Sequence, residues 1–443
     1  RSACEIKGSL LSIGAETMDR DFTIYDNWKS YLGPLGFKKV RILSGWAKTE
    51  SVPKRYEWEW MDNIVNDMLQ QCVTPWVTLC YGNPLYTTFK DDSRGDPPRT
   101  EEAFKAWESY VAAYVKRYKD KINEYEIWNE PRYSKKISPE DYTTLVIRTT
   151  KVIKSEQPDA LINILALDHK HFEASVGAIE ANPLISEYAA KVLQSLKNKK
   201  FLYQINGVTY HPYTWNPDDA YSTVKKFQKM VKGFDKNLKI IQGENGAPSQ
   251  FNIKRALNNY PWTEHSQAKY GLRRLIADLG HSIPTSYFSI ADMFYEDEVN
   301  NKALLKARPD KTIERPKLAY YALQNVSSIF DEQFSAIDDL LFKIKTERQI
   351  AAYHFKNEED KNIIALWLSD NIPDDPDLFI TTDAEFKKCR FDDPVYVNML
   401  TGEVAEINQE LIIQKSNSVK FINIVIPDFP VLIAERSILA VLP

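Results

Sequence analysis

A chain of 443 residues is too long for one small core and is expected to divide into two or three domains. Hydrophobic residues at 43% and charged residues at 27% are ordinary for a soluble globular protein, and a net charge of −4 provides no basic field for nucleic acid. No apolar run reaches the roughly 18 residues that a membrane-spanning helix needs, so no span is predicted.

From residue 9 to about 330, short β-rich runs alternate with longer helical patterns. The predicted strands are 9–14, 39–43, 74–80, 125–128, 161–167, 207–211, 239–242 and 285–290. Helices are expected over 60–72, 101–119, 186–197, 219–234, 263–279 and 317–330, with another opened by Ser138-Pro139-Glu140-Asp141. In the first of these, Met61, Ile64, Val65, Met68 and Leu69 recur with helical period. Ser138 supplies a hydroxyl cap, Pro139 the first helical position and the two acids a favourable first turn. Eight β-then-α units favour a closed (β/α)₈ TIM barrel over residues 1–331. No G-x-G-x-x-G turn supports a dinucleotide fold. From 332 to 443 the pattern becomes short strands broken by polar turns, which predicts a C-terminal antiparallel β-sandwich domain. Its aromatics Tyr353, Phe355, Trp367 and Tyr396 are expected to face inward and brace the barrel.

In a barrel of this kind the working residues come from the carboxyl ends of the strands. The stretch Asn123–Pro131 reads as a strand ending in Asn129 and Glu130, and proline is expected to hold Glu130 extended. A second β-rich run, Lys239–Gly246, carries Glu244. By count these acids lie on strands 4 and 7, so their side chains should face each other across the mouth. Other strand-end candidates are Arg41, Trp46, Asn83, His211, Tyr213 and Tyr287; Tyr81, Trp215 and Trp262 lie in loops on the same face. Facing carboxylates are what glycoside hydrolysis requires, one protonated and one ionised.

Asn129-Glu130-Pro131 ending strand 4 and Glu244 ending strand 7 resemble the retaining glycoside hydrolases of clan A. The His211-Pro212-Tyr213 turn, Arg41 and the trailing sandwich look most like glycoside hydrolase family 39, home of β-xylosidases. The resemblance implies that Glu130 is the general acid and then base, that Glu244 is the nucleophile, and that Asn129 binds the sugar's 2-hydroxyl. It also implies that Arg41 and a phenol, Tyr213, hold Glu244 ionised and aimed. Expected substrates are oligosaccharides or glycosides, attacked at a β-linked terminal sugar without metal or organic cofactor. Endo-cleavage by a relative of the same clan, or a carbohydrate-binding barrel without chemistry, are the alternatives. Long loops at 81–100, 245–262 and 291–316 would wall a pocket and favour exo-action.

Three other chemistries find little support. Asp168-His169-Lys170-His171 is the sole possible metal cluster, no strand end clearly supplies a Schiff-base lysine, and no G-x-S-x-G motif occurs. Cys4, Cys72, Cys80 and Cys389 are widely separated, without metal spacing, and are expected to be free thiols. The chain opens on Arg1 with no signal-like segment; a secreted or periplasmic location is expected from the substrate class alone.

Overall fold

The computed structural model describes residues 1–88, 94–131, 137–338 and 340–439. Part of the predicted loop 81–100 therefore lies outside the described residues. Eight parallel strands close a barrel: β1 (Leu11–Gly14), β2 (Lys39–Leu43), β3 (Thr74–Leu79), β4 (Glu124–Ile127), β5 (Leu161–Leu167), β6 (Gly207–Tyr210), β7 (Lys239–Asn245) and β8 (Thr285–Tyr287). Closure is made by β1 pairing with β8, Ser12 opposite Ser286. The major covering helices run over Glu59–Gln70, Glu101–Tyr118, Pro139–Glu156, Tyr188–Asn198, Ala220–Phe234, Glu264–Gly280 and Leu318–Ile329. Ser138 caps its helix as expected, its hydroxyl accepting from the Asp141 N–H.

Two antiparallel sheets follow, one of six strands and one of four. A nine-residue strand, Phe379–Lys387, pairs with Ser418–Pro427 in the smaller sheet. Apart from Phe379 at its start, its outward residues are Thr381, Asp383, Glu385 and Lys387, so a half-solvated strand reads as a polar turn. The sandwich packs on the barrel through the helix Glu264–Gly280. The Tyr353 ring lies so close to Gly280 that a Cβ there would stand 2.1 Å from it. Trp367 stacks on Tyr353 and donates its indole N–H to Asp218 at 3.1 Å.

Two expectations are corrected here. Glu130 is not extended: the strand ends at Ile127, and Trp128 and Glu130 have φ of 66° and 43°. Such left-handed backbone costs energy for a non-glycine residue and persists where surrounding structure fixes it, commonly at functional sites. Nor are all four cysteines free, since Cys4 and Cys72 form a disulfide with Cα atoms 4.9 Å apart. The Lys38 ammonium donates to the carbonyls of Ala3 (2.7 Å) and Cys72 (2.9 Å), gathering the N-terminal turn against the entrance to β3. That approach is tertiary, and 68 residues of separation conceal it in the sequence. The bond lies at the amino ends of the strands, the face associated with stability in such barrels. Replacing both cysteines with serine should cost about 4 kcal/mol by loop entropy. The denaturation midpoint should fall while catalytic constants of the remaining native protein stay unchanged.

Candidate active site

The barrel floor is built from period-2 alternation. Lys39 and Arg41 on β2 and Glu124 and Glu126 on β4 all point inward, so two ionic layers cross over β3. Lys39 meets Glu124 at 2.5 Å and Arg41 meets Glu126 at 2.5 Å. Taking such charges out of water is expensive and is tolerated only with further hydrogen bonds. Glu126 has them, accepting from the hydroxyls of Thr78 (2.6 Å) and Thr209 (2.5 Å). Burial pushes its carboxyl upward, but Arg41, His211 and these hydroxyls outweigh burial and hold it below the usual range.

Arg41 reaches beyond this floor. Its Nε and Nη2 donate to Glu126 at 3.0 and 2.5 Å, and Nη2 also donates to the Asn129 side-chain oxygen at 2.8 Å. Its Nη1 donates to Glu244 Oε1 at 2.7 Å and to Glu16 Oε1 at 3.2 Å. Arg41 therefore serves both a structural acid in the barrel floor, Glu126, and the acid at the mouth, Glu244.

Glu244 lies on β7, where pairing with β8 shifts register between Gln242 and Asn245. The Tyr213 hydroxyl donates to Glu244 Oε2 at 3.2 Å. Across the mouth, Glu130 Oε1 lies 2.9 Å from His211 Nδ1. That nitrogen also stands 3.7 Å from Glu244 Oε2. Glycine at 243 leaves room for the imidazole: a Cβ there would stand 3.0 Å from the other ring nitrogen of His211, a tight contact. Ligand atoms of Glu130, His211 and Glu244 all lie within 4.8 Å of one another. Burial, and then the charge on Glu244, raise the Glu130 carboxyl above its ordinary range against the hydrogen bond from His211. For His211, burial acts to lower the pKa, but Glu244 and Glu130 prevail and raise it.

His211 is fully buried behind Glu130, Glu244 and Tyr213, which line a cavity of about 1000 Å³. Loops after several strands wall it with Arg20, Tyr81, Arg255, Phe288, Tyr295 and Lys302. The loop after β8 is not structureless; it folds two short hairpins, pairing Met293–Phe294 with Val299–Asn300 and Leu305–Ala307 with Ile313–Pro316. Asn129 is also in the wall, its amide donating to the Tyr81 hydroxyl at 2.8 Å.

Three expected sugar contacts do not reach the cavity. Trp46 is fully buried, stacked on Tyr86 and Tyr110, with its N–H given to Glu50 at 2.7 Å. Asn83 is fully buried and donates to the Glu50 carbonyl at 2.8 Å. Tyr287 turns outward instead, its ring against Gly271 of the covering helix. Trp262 is likewise packed away on Tyr260 and Tyr270, and exposed Trp215 lies outside the cavity lining. Glu16 and Glu126 were missed. For Glu126 the signal was present, since Lys39/Arg41 and Glu124/Glu126 share a two-residue spacing. For Glu16 it was position alone, just past the end of β1.

Among the described residues, Glu130, His211 and Glu244 are also the one group of three such side chains close enough to share a cation. The Arg41 guanidinium already holds Glu244 Oε1 and adds positive charge there, which opposes a metal.

No protein-family profile and no curated protein sequence matches this chain. Solved structures match it in fold. A family 39 glycoside hydrolase from Bacteroides cellulosilyticus WH2 aligns at TM-score 0.66 and 16% identity, covering 97% of this chain and 81% of that one. A monomeric β-xylosidase from Caulobacter crescentus CB15 aligns at 0.61 and 15%, covering 97% of each. A family 30 endoxylanase from Clostridium papyrosolvens C71 aligns at 0.60 and 12%, covering 97% and 96%. At these identities the likeness is one of fold.

Proposed function

We propose that this protein is a retaining glycoside hydrolase acting by double displacement through Glu244 and Glu130, exo-acting on a β-linked terminal sugar. The observation that carries the reading is the close approach of two differently held carboxylates over the barrel mouth. One is gripped by a guanidinium and a phenol, the other by an imidazole. Their oxygens approach within 4.8 Å, which suits the short retaining separation of about 5–5.5 Å better than the roughly 6.5–9.5 Å that leaves room for an inverting water.

In the first step Glu130 gives its proton to the glycosidic oxygen while Glu244 attacks the anomeric carbon. The bond to the leaving oxygen breaks and a glycosyl ester forms. Arg41 occupies Oε1, so Oε2 is the attacking oxygen. In the second step Glu130 takes a proton from water, water attacks the anomeric carbon, and the ester bond returns its electrons to Glu244. Loss of the Glu244 charge lowers the Glu130 pKa between the steps, which suits one group to both tasks. Asn129, polarised by Arg41, is positioned to bind the 2-hydroxyl of the sugar.

The fold neighbours include a β-xylosidase and an endoxylanase, so aryl β-xylosides head the substrate panel. The walled cavity supports exo-action. Secretion or a periplasmic location is supported by the Cys4–Cys72 disulfide, since such bonds persist in oxidising compartments. The test is a panel of aryl glycosides with and without chelator, followed by labelling with a 2-deoxy-2-fluoro glycoside and peptide mapping. Turnover insensitive to chelator, with the label on Glu244, is the expected result. Glycan binding without turnover of any glycoside would identify a binding barrel instead, and internal cleavage of polymer an endo-acting enzyme.

A further inference from the structure

The mechanism above leaves Glu16 unused, although it shares Arg41 with Glu244. Glu16 follows β1, is 5% exposed, and lies in the cavity wall. Its Oε1 shares a single nitrogen, Nη1 of Arg41, with Glu244 Oε1, at 3.2 and 2.7 Å respectively. Counting around the guanidinium, Glu126 and Asn129 take three N–H bonds, Glu244 the fourth and Glu16 the fifth. Arg41 is thereby saturated and its plane is fixed. The Glu16 side chain is fixed as well: it curls back over Gly14, where a Cβ would lie 2.5 Å from both carboxyl oxygens. The second oxygen, Oε2, is buried and has no hydrogen-bond partner among the described residues.

We propose that Glu16 is a positioning residue that acts as a stand-in anion, taking over Nη1 of Arg41 whenever Glu244 gives up its charge to the glycosyl ester. The assignment rests on the retaining mechanism above. Four carboxyl groups (Glu16, Glu126, Glu130 and Glu244) surround one guanidinium and one imidazole, so they do not all ionise together. Glu126 keeps its charge through two hydroxyl bonds and Arg41. Like the acid Glu130, Glu16 is held neutral beside a charged Glu244. Burial first, and then the Glu244 charge, push it up to about 8 against the attraction of Arg41.

When Glu244 becomes an ester through Oε2, one of the two causes that raise Glu16 is removed, and the Oε1 facing Nη1 becomes a neutral carbonyl oxygen, a weaker acceptor than a carboxylate. Glu16 then releases its proton to cavity water and becomes the carboxylate on Nη1; on hydrolysis of the ester it takes a proton back. The charge around Arg41 is thus held steady, and the guanidinium stays in place to receive Glu244 again. The groups that face Glu16 in this exchange are Arg41 on β2, Glu244 on β7 and Tyr213 beyond β6, with Glu126 on β4 reached through Arg41.

Difference infrared spectroscopy tests this without substrate. The wild-type protein should show a protonated-carboxyl band that titrates near pH 8. Glu16→Gln should lack that band, and Glu244→Gln, whose neutral amide stands in for the ester, should move its midpoint down by about one unit or more. A second arm traps the wild type and Glu16→Gln with a 2-deoxy-2-fluoro dinitrophenyl glycoside at neutral pH and measures protons released. The wild type should release about half a proton more per site for a one-unit fall, and more for a larger one. A band that does not move in Glu244→Gln, or equal proton release, overturns the assignment. Failure of every glycoside to label the wild type would instead overturn the retaining reaction, while the titration still decides how Arg41 is shared.

Discussion

Glu244→Gly should abolish turnover, with a loss on the order of 10⁵-fold or more, the scale of removing the nucleophile from a covalent mechanism. The deletion leaves a space where the carboxylate stood, while Arg41, Tyr213 and Glu130 remain to receive an anion and protonate a leaving group. Added azide should enter that space and attack the anomeric carbon once. The product should be a glycosyl azide of inverted configuration, identified by NMR, because one displacement replaces two. A glycosyl azide of retained configuration from this variant, or inversion on rescue of the Glu130 variant instead, would mean that the two roles are exchanged.

Glu130→Ala should behave differently, and the leaving group should expose the difference. Departure of an alkoxide needs a proton, so unactivated glycosides should lose about 10²–10⁴-fold, the usual worth of a general acid. A dinitrophenolate leaves unaided, so its glycoside should still form the ester at near wild-type rate and then accumulate it as a burst. The pH dependence has a definite sign. Burial and the Glu244 charge raise the folded pKa of Glu130, and only its protonated form is active in the first step. Wild-type kcat/KM should therefore persist at pH values above the ordinary carboxylate range and fall as pH rises through that raised pKa. In Glu130→Ala the alkaline fall should be absent from the residual kcat/KM on the unactivated glycosides, whose departure needs the acid in the wild type. An unchanged profile in the variant would remove Glu130 from the role of acid.

Much of the barrel was legible because its signals are local. Strand 2 is found over the predicted residues 39–43 and strand 5 over 161–167, since buried parallel strands are short apolar runs bounded by turns. The helix that begins after Ser138 was visible from its cap, which is set by three or four neighbouring residues. The placement of Glu130 and Glu244 at one mouth was legible for a related reason: position along a strand decides which end of the barrel a residue occupies, and counting strands decides which residues face each other.

Contacts that required knowledge of packing were misread. Trp46 and Asn83 follow strand ends just as Asn129 does, but their side chains turn down into the layer between strands and helices. Tyr287 ends β8 with the wrong parity, so its ring faces a helix while Phe288 beside it lines the cavity. The left-handed backbone at Trp128 and Glu130 overrode the local preference of a residue before proline. The disulfide depended on two turns at the amino face meeting through Lys38.

The sequence by itself determined the alternation of strands and helices, hence the barrel, and with it the strands on which the two acids stand. These follow from periodicity and local conformational preference, which act over a few residues. Only the tertiary structure decided what surrounds the acids: one arginine divided among Glu16, Glu126, Asn129 and Glu244, and a histidine between Glu130 and Glu244. Charge interactions depend on distance in space and on the exclusion of water, and neither quantity exists until the ring has closed.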